Sequence, residues 1–145
     1  MDIAVSFPGG KRVDAAFGSH VVRTDQSLEH GGAGAAPEPF DLFLASLATC
    51  AGIYVLGFCQ ARGIPTDGLR IAQRSATDEA TKRLTNVELI IEVPPDFPAK
   101  YKDAVVRAAE GCRVKKTLLA PPEVHVAWRE IATDGAPAEQ ATSSY

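Results

Sequence analysis

Cysteine is scarce in this chain of 145 residues: there are three, along with one tryptophan and one methionine. Three thiols over this length do not make the disulfide framework of a small secreted domain, so reduced cysteines in a cytoplasmic protein are expected. Neither sign of charge is in marked excess, with 15 Lys and Arg against 18 Asp and Glu and a net charge of -3. Basic residues pair only at Lys11-Arg12, Lys82-Arg83 and Lys115-Lys116. A nucleic-acid partner needs a basic stripe, which such scattered pairs do not build. No positively charged leader precedes an early apolar stretch, so no signal peptide is expected. His20, His30 and His125 stand apart, and no Cys or His pair has the short spacing of a zinc site, so no metal is expected. Gly9-Gly10-Lys11-Arg12 lacks the spacing of a phosphate loop, and Gly31-Gly32-Ala33-Gly34 does not join a strand to a helix. No internal repeat is present.

What remains is an ordinary globular composition, 46% apolar and 23% charged, which implies a single domain. Ile3, Val5 and Phe7 alternate before the turn residues Pro8-Gly9-Gly10, and Val13, Ala15 and Phe17 resume the alternation, so residues 2–17 predict a β-hairpin. His20–Thr24 predicts a third short strand, and the Gly- and Pro-rich stretch Gln26–Pro39 a crossover loop. Pro39 then opens a long helix, with Asp41 in its first turn, running to about Arg62. Gly63 and Pro65 end it. Strands follow over Gly68–Ala76 and Leu84–Val93, the second carrying Val87, Leu89, Ile91 and Val93 on one face. A helix over Pro98–Glu110, a break at Gly111-Cys112, a short helical piece to Leu119 and a last strand bearing Val124, Val126 and Trp128 complete an α+β domain over residues 1–132. Residues 133–145 are small, polar and expected to be a flexible tail.

The eighteen residues Leu42–Cys59 carry no formal charge. That length touches the lower limit for a membrane span, but the run is diluted by Ala, Ser, Thr and Gly, and no basic cluster flanks one end to set a topology. A helix hydrophobic all round and buried inside the protein is the better reading. Two of the three thiols lie on it. Cys50 and Cys59 are nine residues apart, which at 1.5 Å per residue means about 13 Å of rise and opposite faces, so they cannot bond while the helix is intact. Cys59 therefore reads as packing. Cys112 lies on another element and is free to approach Cys50, with Arg113, Lys115 and Lys116 near it in sequence. On composition alone these two are equally inert buried cysteines or a reactive pair.

The segment Pro39-Phe40-Asp41-Leu42-Phe43-Leu44-Ala45-Ser46-Leu47-Ala48-Thr49-Cys50 resembles the central-helix motif of the OsmC/Ohr family (osmotically inducible protein C and organic hydroperoxide resistance proteins). Ala109-Glu110-Gly111-Cys112-Arg113-Val114 is similar to that family's second-cysteine segment. The resemblance covers roughly residues 1–130. It implies antiparallel sheets wrapped around a long buried central helix in an intertwined homodimer, with two sites at the subunit interface. It further implies a cysteine-dependent peroxidase of oxidative-stress defence, acting on organic hydroperoxides without metal, flavin or haem. Cys50 would be the peroxidatic thiol, oxidised to a sulfenic acid, and Cys112 would condense with it to a disulfide that an external dithiol, lipoyl or similar, reduces. In the family's peroxidase branch a glutamate directly after the proline holds an arginine of the first hairpin against the thiolate. Here that position is Phe40, flanked by Glu38 and Asp41, and the hairpin arginine on offer is Arg12. The alternative implied by the apolar setting is a non-catalytic member that binds a small lipophilic ligand at the dimer interface.

Overall fold

The structure, a computed structural model, describes residues 1–130. Strands β1 (Ala4–Gly9), β2 (Arg12–Phe17) and β3 (His20–Thr24) form an antiparallel sheet in chain order. The turns between them place Gly9, Gly10 and Gly18 at positive φ, where a side chain would be strained. Helix α1 (Pro39–Gln60) follows, then the antiparallel pair β4 (Arg70–Thr77) and β5 (Leu84–Glu92). A single 3-10 turn (Ala99–Tyr101) leads into α2 (Lys102–Glu110), and α3 (Arg113–Leu119) comes after a two-residue break at Gly111 and Cys112. The α+β architecture with antiparallel sheets and a long central helix is as the sequence predicts.

Both ends of α1 follow from local chemistry. Pro39 takes the first helical position, where its missing N–H costs nothing. Asp41 Oδ2 accepts the Glu38 N–H at 3.0 Å, so an otherwise orphaned donor is satisfied. At the other end Gly63 adopts φ +62°, and the Gly63 and Ile64 N–H groups bond back to the Gln60 and Cys59 carbonyls at 3.2 and 3.0 Å. Those two bonds are a Schellman closure, which a residue with a Cβ would resist.

One stripe of α1 is buried: Leu47, Ala51, Val55 and Cys59, four residues apart each time. Val55 and Cys59 pack with Ile64, Phe97 and Val105, while Leu47 and Ala51 pack with Cys112. The apolar face of the β4–β5 pair, Ile71, Val87, Leu89, Ile91 and Val93, closes over both groups. Burial all round, expected for this helix, is not what a single chain provides. Ile53 is 66% exposed, and Tyr54 and Leu56 are also exposed, because the elements of the same chain leave most of that side open. By length and apolarity α1 could cross a membrane, yet its buried stripe is the core of this domain.

The last strand expected from Val124, Val126 and Trp128 does not form. Residues 121–130 have no regular structure and these three side chains are exposed. Alternation supplies a face for a strand but not an edge to pair with, and the described chain brings no edge to this segment. The tail over 133–145 lies outside the described residues.

The crossover between β3 and α1 is organised by one buried carboxylate. Asp25, 1% exposed, accepts N–H groups from Gln26, Ala33 and Ala35 at 2.8, 3.2 and 3.0 Å. Gly32 is required by the same loop, since a Cβ there would stand 2.0 Å from the Gln26 carbonyl oxygen. Gly32→Ala is expected to lower stability by about 1–3 kcal/mol, the range for forced overpacking, read as a lower urea midpoint with unchanged slope. An unaltered midpoint would show that the loop yields freely and that this contact constrains nothing.

Candidate active site

Helix periodicity divides the thiols of α1. Cys59 falls in the buried stripe and Cys50 on its edge, half-buried beside Leu47 and Ala51. Cys112, fully buried, sits at the N-terminal cap of α3 and packs against that same part of α1. The two elements thus pack Cys50 and Cys112 into one cluster, across 62 residues of sequence. Cys112 also points toward the Leu47 carbonyl, Sγ to O 3.9 Å.

Their electrostatics differ in sign. The Cys50 thiol is pushed below its ordinary value, first by the Val114 N–H, with further help from the Cys112 thiol, the Arg113 N–H and the Arg113 charge; partial burial opposes this. Cys112 is pushed up, chiefly by burial and also by the neighbouring Cys50. Cys59 is pushed up by burial as well. The pair is therefore asymmetric: the thiolate is favoured at one sulfur and disfavoured at the other. No disulfide joins them, and both are free thiols. The effect of Arg113 and Val114 on Cys50 comes largely through backbone N–H groups, which side-chain identity in the sequence does not signal.

Arg12 is elsewhere. It forms an ion pair with Asp14 at 3.6 Å and lines a cleft with Phe7, Lys11, Gln26 and His30. Within one chain it does not join the Cys50 site. The acids around Pro39 are engaged too. Glu38 accepts the Ser27 N–H at 2.9 Å and meets His30 Nδ1 at 2.8 Å, while Asp41 caps α1. Phe40 is exposed and stacks on Phe43 with ring centroids 5.4 Å apart.

An apolar cavity of about 340 Å³ lies between α1, α2, α3 and the β4–β5 sheet and shares Leu47, Ala51, Val87 and Leu89 with the Cys112 cluster. Its lining includes Leu47, Ala51, Val87, Leu89, Val106 and Leu118, and the Lys115–Glu110 ion pair stands at its edge. Among the described residues, no three His, Cys, Asp or Glu side chains are grouped to hold a metal ion.

Two thiols of opposite disposition, one on a long central helix and one on the cap of a short helix, define an α+β domain of the thiol-bearing class. The family model for OsmC-like proteins matches residues 31–127, and the chain belongs to that family. No curated protein matches the sequence. Among solved structures, an osmotic stress induced and detoxification response protein of Psychrobacter arcticus is 22% identical, with a TM-score of 0.69 over 79% of this chain and 85% of that one. An OsmC-like protein of Mycoplasma pneumoniae is 17% identical, with a TM-score of 0.66 over 83% of this chain and 87% of that one. An organic hydroperoxide resistance protein OsmC of Legionella pneumophila is 19% identical, with a TM-score of 0.50 over 81% and 89% of the two chains. At these identities the likeness is one of fold.

The Glu38–His30 contact makes the crossover sensitive to pH. Bonds from Ser27 and from His30 hold Glu38 down at about 2, below its ordinary 4.5, and Glu38 raises His30 above its ordinary 6.5. Glu38 therefore contributes stability above about 4.5 that is lost as pH falls toward 2, and His30 contributes stability below 6.5 that is lost as pH rises through its raised value. The stability difference between wild type and His30→Ala is expected to shrink as pH rises from about 5.5 to about 8.5. Parallel urea titrations measure it, and a difference that stays constant or grows would exclude a charged clamp.

Proposed function

We propose that this protein is a thiol-dependent peroxidase that reduces organic hydroperoxides in oxidative-stress defence in the cytoplasm. The observation that carries this reading is the packing of Cys112, at the N-cap of α3, against the part of α1 that bears Cys50. The Cys50 thiolate attacks one oxygen of the O–O bond; that bond breaks, the alcohol leaves after taking up a proton, and Cys50 becomes a sulfenic acid. Cys112 then attacks the Cys50 sulfur, the S–O bond breaks, and the departing hydroxide leaves as water with the Cys112 proton. An external dithiol, lipoyl or similar, returns both thiols by exchange and is itself oxidised to a disulfide. The cycle uses sulfur chemistry alone, with no metal or organic cofactor.

The working form in this proposal is an intertwined homodimer. The sheet β1–β3 packs chiefly within itself, and Phe7 on it is 80% exposed. Together with Ile53, Tyr54 and Leu56 on α1, that is more apolar surface than an isolated small domain leaves bare. A second copy laid over the open side of α1 would bring its first hairpin, and Arg12 with it, toward the Cys50 site. In this arrangement Arg113 supplies charge from within the chain and Arg12 of the second copy supplies it from across the interface. A second reading, a binding protein for a small lipophilic ligand, is favoured by the apolar cavity beside Cys112.

Reduced protein is expected to consume cumene hydroperoxide with dihydrolipoamide or dithiothreitol as reductant, and Cys50→Ser to abolish consumption. Cys112→Ser is expected to form the sulfenic acid but no intramolecular disulfide. Ligand binding that survives in Cys50→Ser, with no turnover of any hydroperoxide by wild type, would favour the binding reading instead. Sedimentation equilibrium is expected to give twice the chain mass of 15.4 kDa; a monomer at micromolar concentration would sink the interface assignment.

A further inference from the structure

Cys112 is carried by the joint between α2 and α3, and that joint comes only as close to Cys50 as the surface of α1 allows. The joint is a tight turn, with the Gly111 N–H bonded to the Ala108 carbonyl and the Cys112 N–H to the Ala109 carbonyl, both at 3.0 Å. Gly111 has φ -68°, an ordinary right-handed value, so its backbone conformation does not demand glycine. Space does. A Cβ on Gly111 would stand 3.2 Å from both Cδ1 and Cε1 of Tyr54, and 3.0 Å from the Ala108 carbonyl oxygen. Tyr54 lies one helical turn beyond Cys50 on the same side of α1. Its ring is 39% exposed and belongs to neither buried cluster, so filling the core does not account for it.

We propose that the Tyr54 ring against the bare Cα of Gly111 is a positioning contact that sets the approach of Cys112 to the oxidised Cys50 sulfur. The proposal rests on the disulfide cycle proposed above. Neither residue touches the reacting atoms. Their contact fixes where the turn sits, and the next residue along the chain is the attacking sulfur. The step they govern is attack of Cys112 on the Cys50 sulfenic acid: the S–S bond forms, the S–O bond breaks, and water leaves with the Cys112 proton. Oxidation of Cys50 itself lies outside their influence.

The test compares wild type with Gly111→Ala, Tyr54→Ala, Tyr54→Phe and the Tyr54→Ala/Gly111→Ala double variant. Each full-length protein is oxidised with tert-butyl hydroperoxide. Sulfenic acid at Cys50 is trapped with dimedone, and the Cys50–Cys112 disulfide is followed by peptide mass. In Gly111→Ala the sulfenic acid is expected to form at the wild-type rate and the disulfide about 10-fold more slowly, since sub-ångström misplacement of a reacting group costs about that much. Tyr54→Ala is expected to slow the same step and Tyr54→Phe to behave as wild type. The double variant should be less impaired than the product of the two single effects. A contact with a merely structural role would lower the melting temperature and leave the partition between trapped sulfenic acid and disulfide unchanged. A wild-type partition in both Gly111→Ala and Tyr54→Ala overturns the proposal; if Gly111→Ala does not fold, the Tyr54 pair decides alone. If wild type is not oxidised by the hydroperoxide, the peroxidase reading fails separately. Diamide, which joins two thiols without a peroxidase step, then provides the same comparison: slower disulfide formation in the variants supports the contact, and equal rates overturn it.

Discussion

The structure depends on the burial of one stripe of a helix that is apolar on every side. Leu47, Ala51, Val55 and Cys59 are covered by the β4–β5 sheet, α2 and the Cys112 turn, and that docking fixes the rotation of α1 about its axis. Each large side chain removed from water is worth about 1.5–3 kcal/mol, so rotating the helix to bury a different stripe is strongly disfavoured. Cys50 is consequently held at the stripe's margin, close enough to the turn to meet Cys112 and open enough to meet a small molecule. Cys59 pays the opposite consequence of the same rotation: burial raises its pKa and removes it from the chemistry.

The groups that shift Cys50 lie at the start of α3. The Val114 N–H, the Arg113 N–H and the Arg113 charge favour the anionic form of Cys50, while burial pushes the neighbouring Cys112 up. An apolar surround alone would push both thiols up. Backbone N–H groups lower the pKa of one sulfur, while burial outweighs them at the other, so the two thiols shift in opposite directions. The acids of the Pro39 region do other work: Glu38 and Asp41 hold the crossover and the start of α1.

Much of the fold was legible in the chain because it rests on local signals. Turn glycines at 9 and 10, Pro39 before Asp41, Gly63 before Pro65, and the alternation of Val87, Leu89, Ile91 and Val93 each act through nearby backbone or a single face. The same logic failed at Val124–Trp128, where alternation is present but no strand edge is offered by the described chain. It also overstated the burial of α1, since apolarity on all sides says that a helix needs cover and not which molecule provides it.

For the site, sequence alone determined that Cys50 and Cys59 point to opposite faces, because helix period and rise are properties of the backbone. It also marked a break at Gly111-Cys112. Only the tertiary structure decided that the neighbour of Gly111 is Tyr54, that the start of α3 lowers the Cys50 pKa, and that Arg12 stands with Asp14 away from the thiols within one chain. Those facts depend on how α1, the α2–α3 joint and the first hairpin lie across long sequence separations. Such placements are set by the burial of many side chains at once, and no short stretch of sequence encodes them.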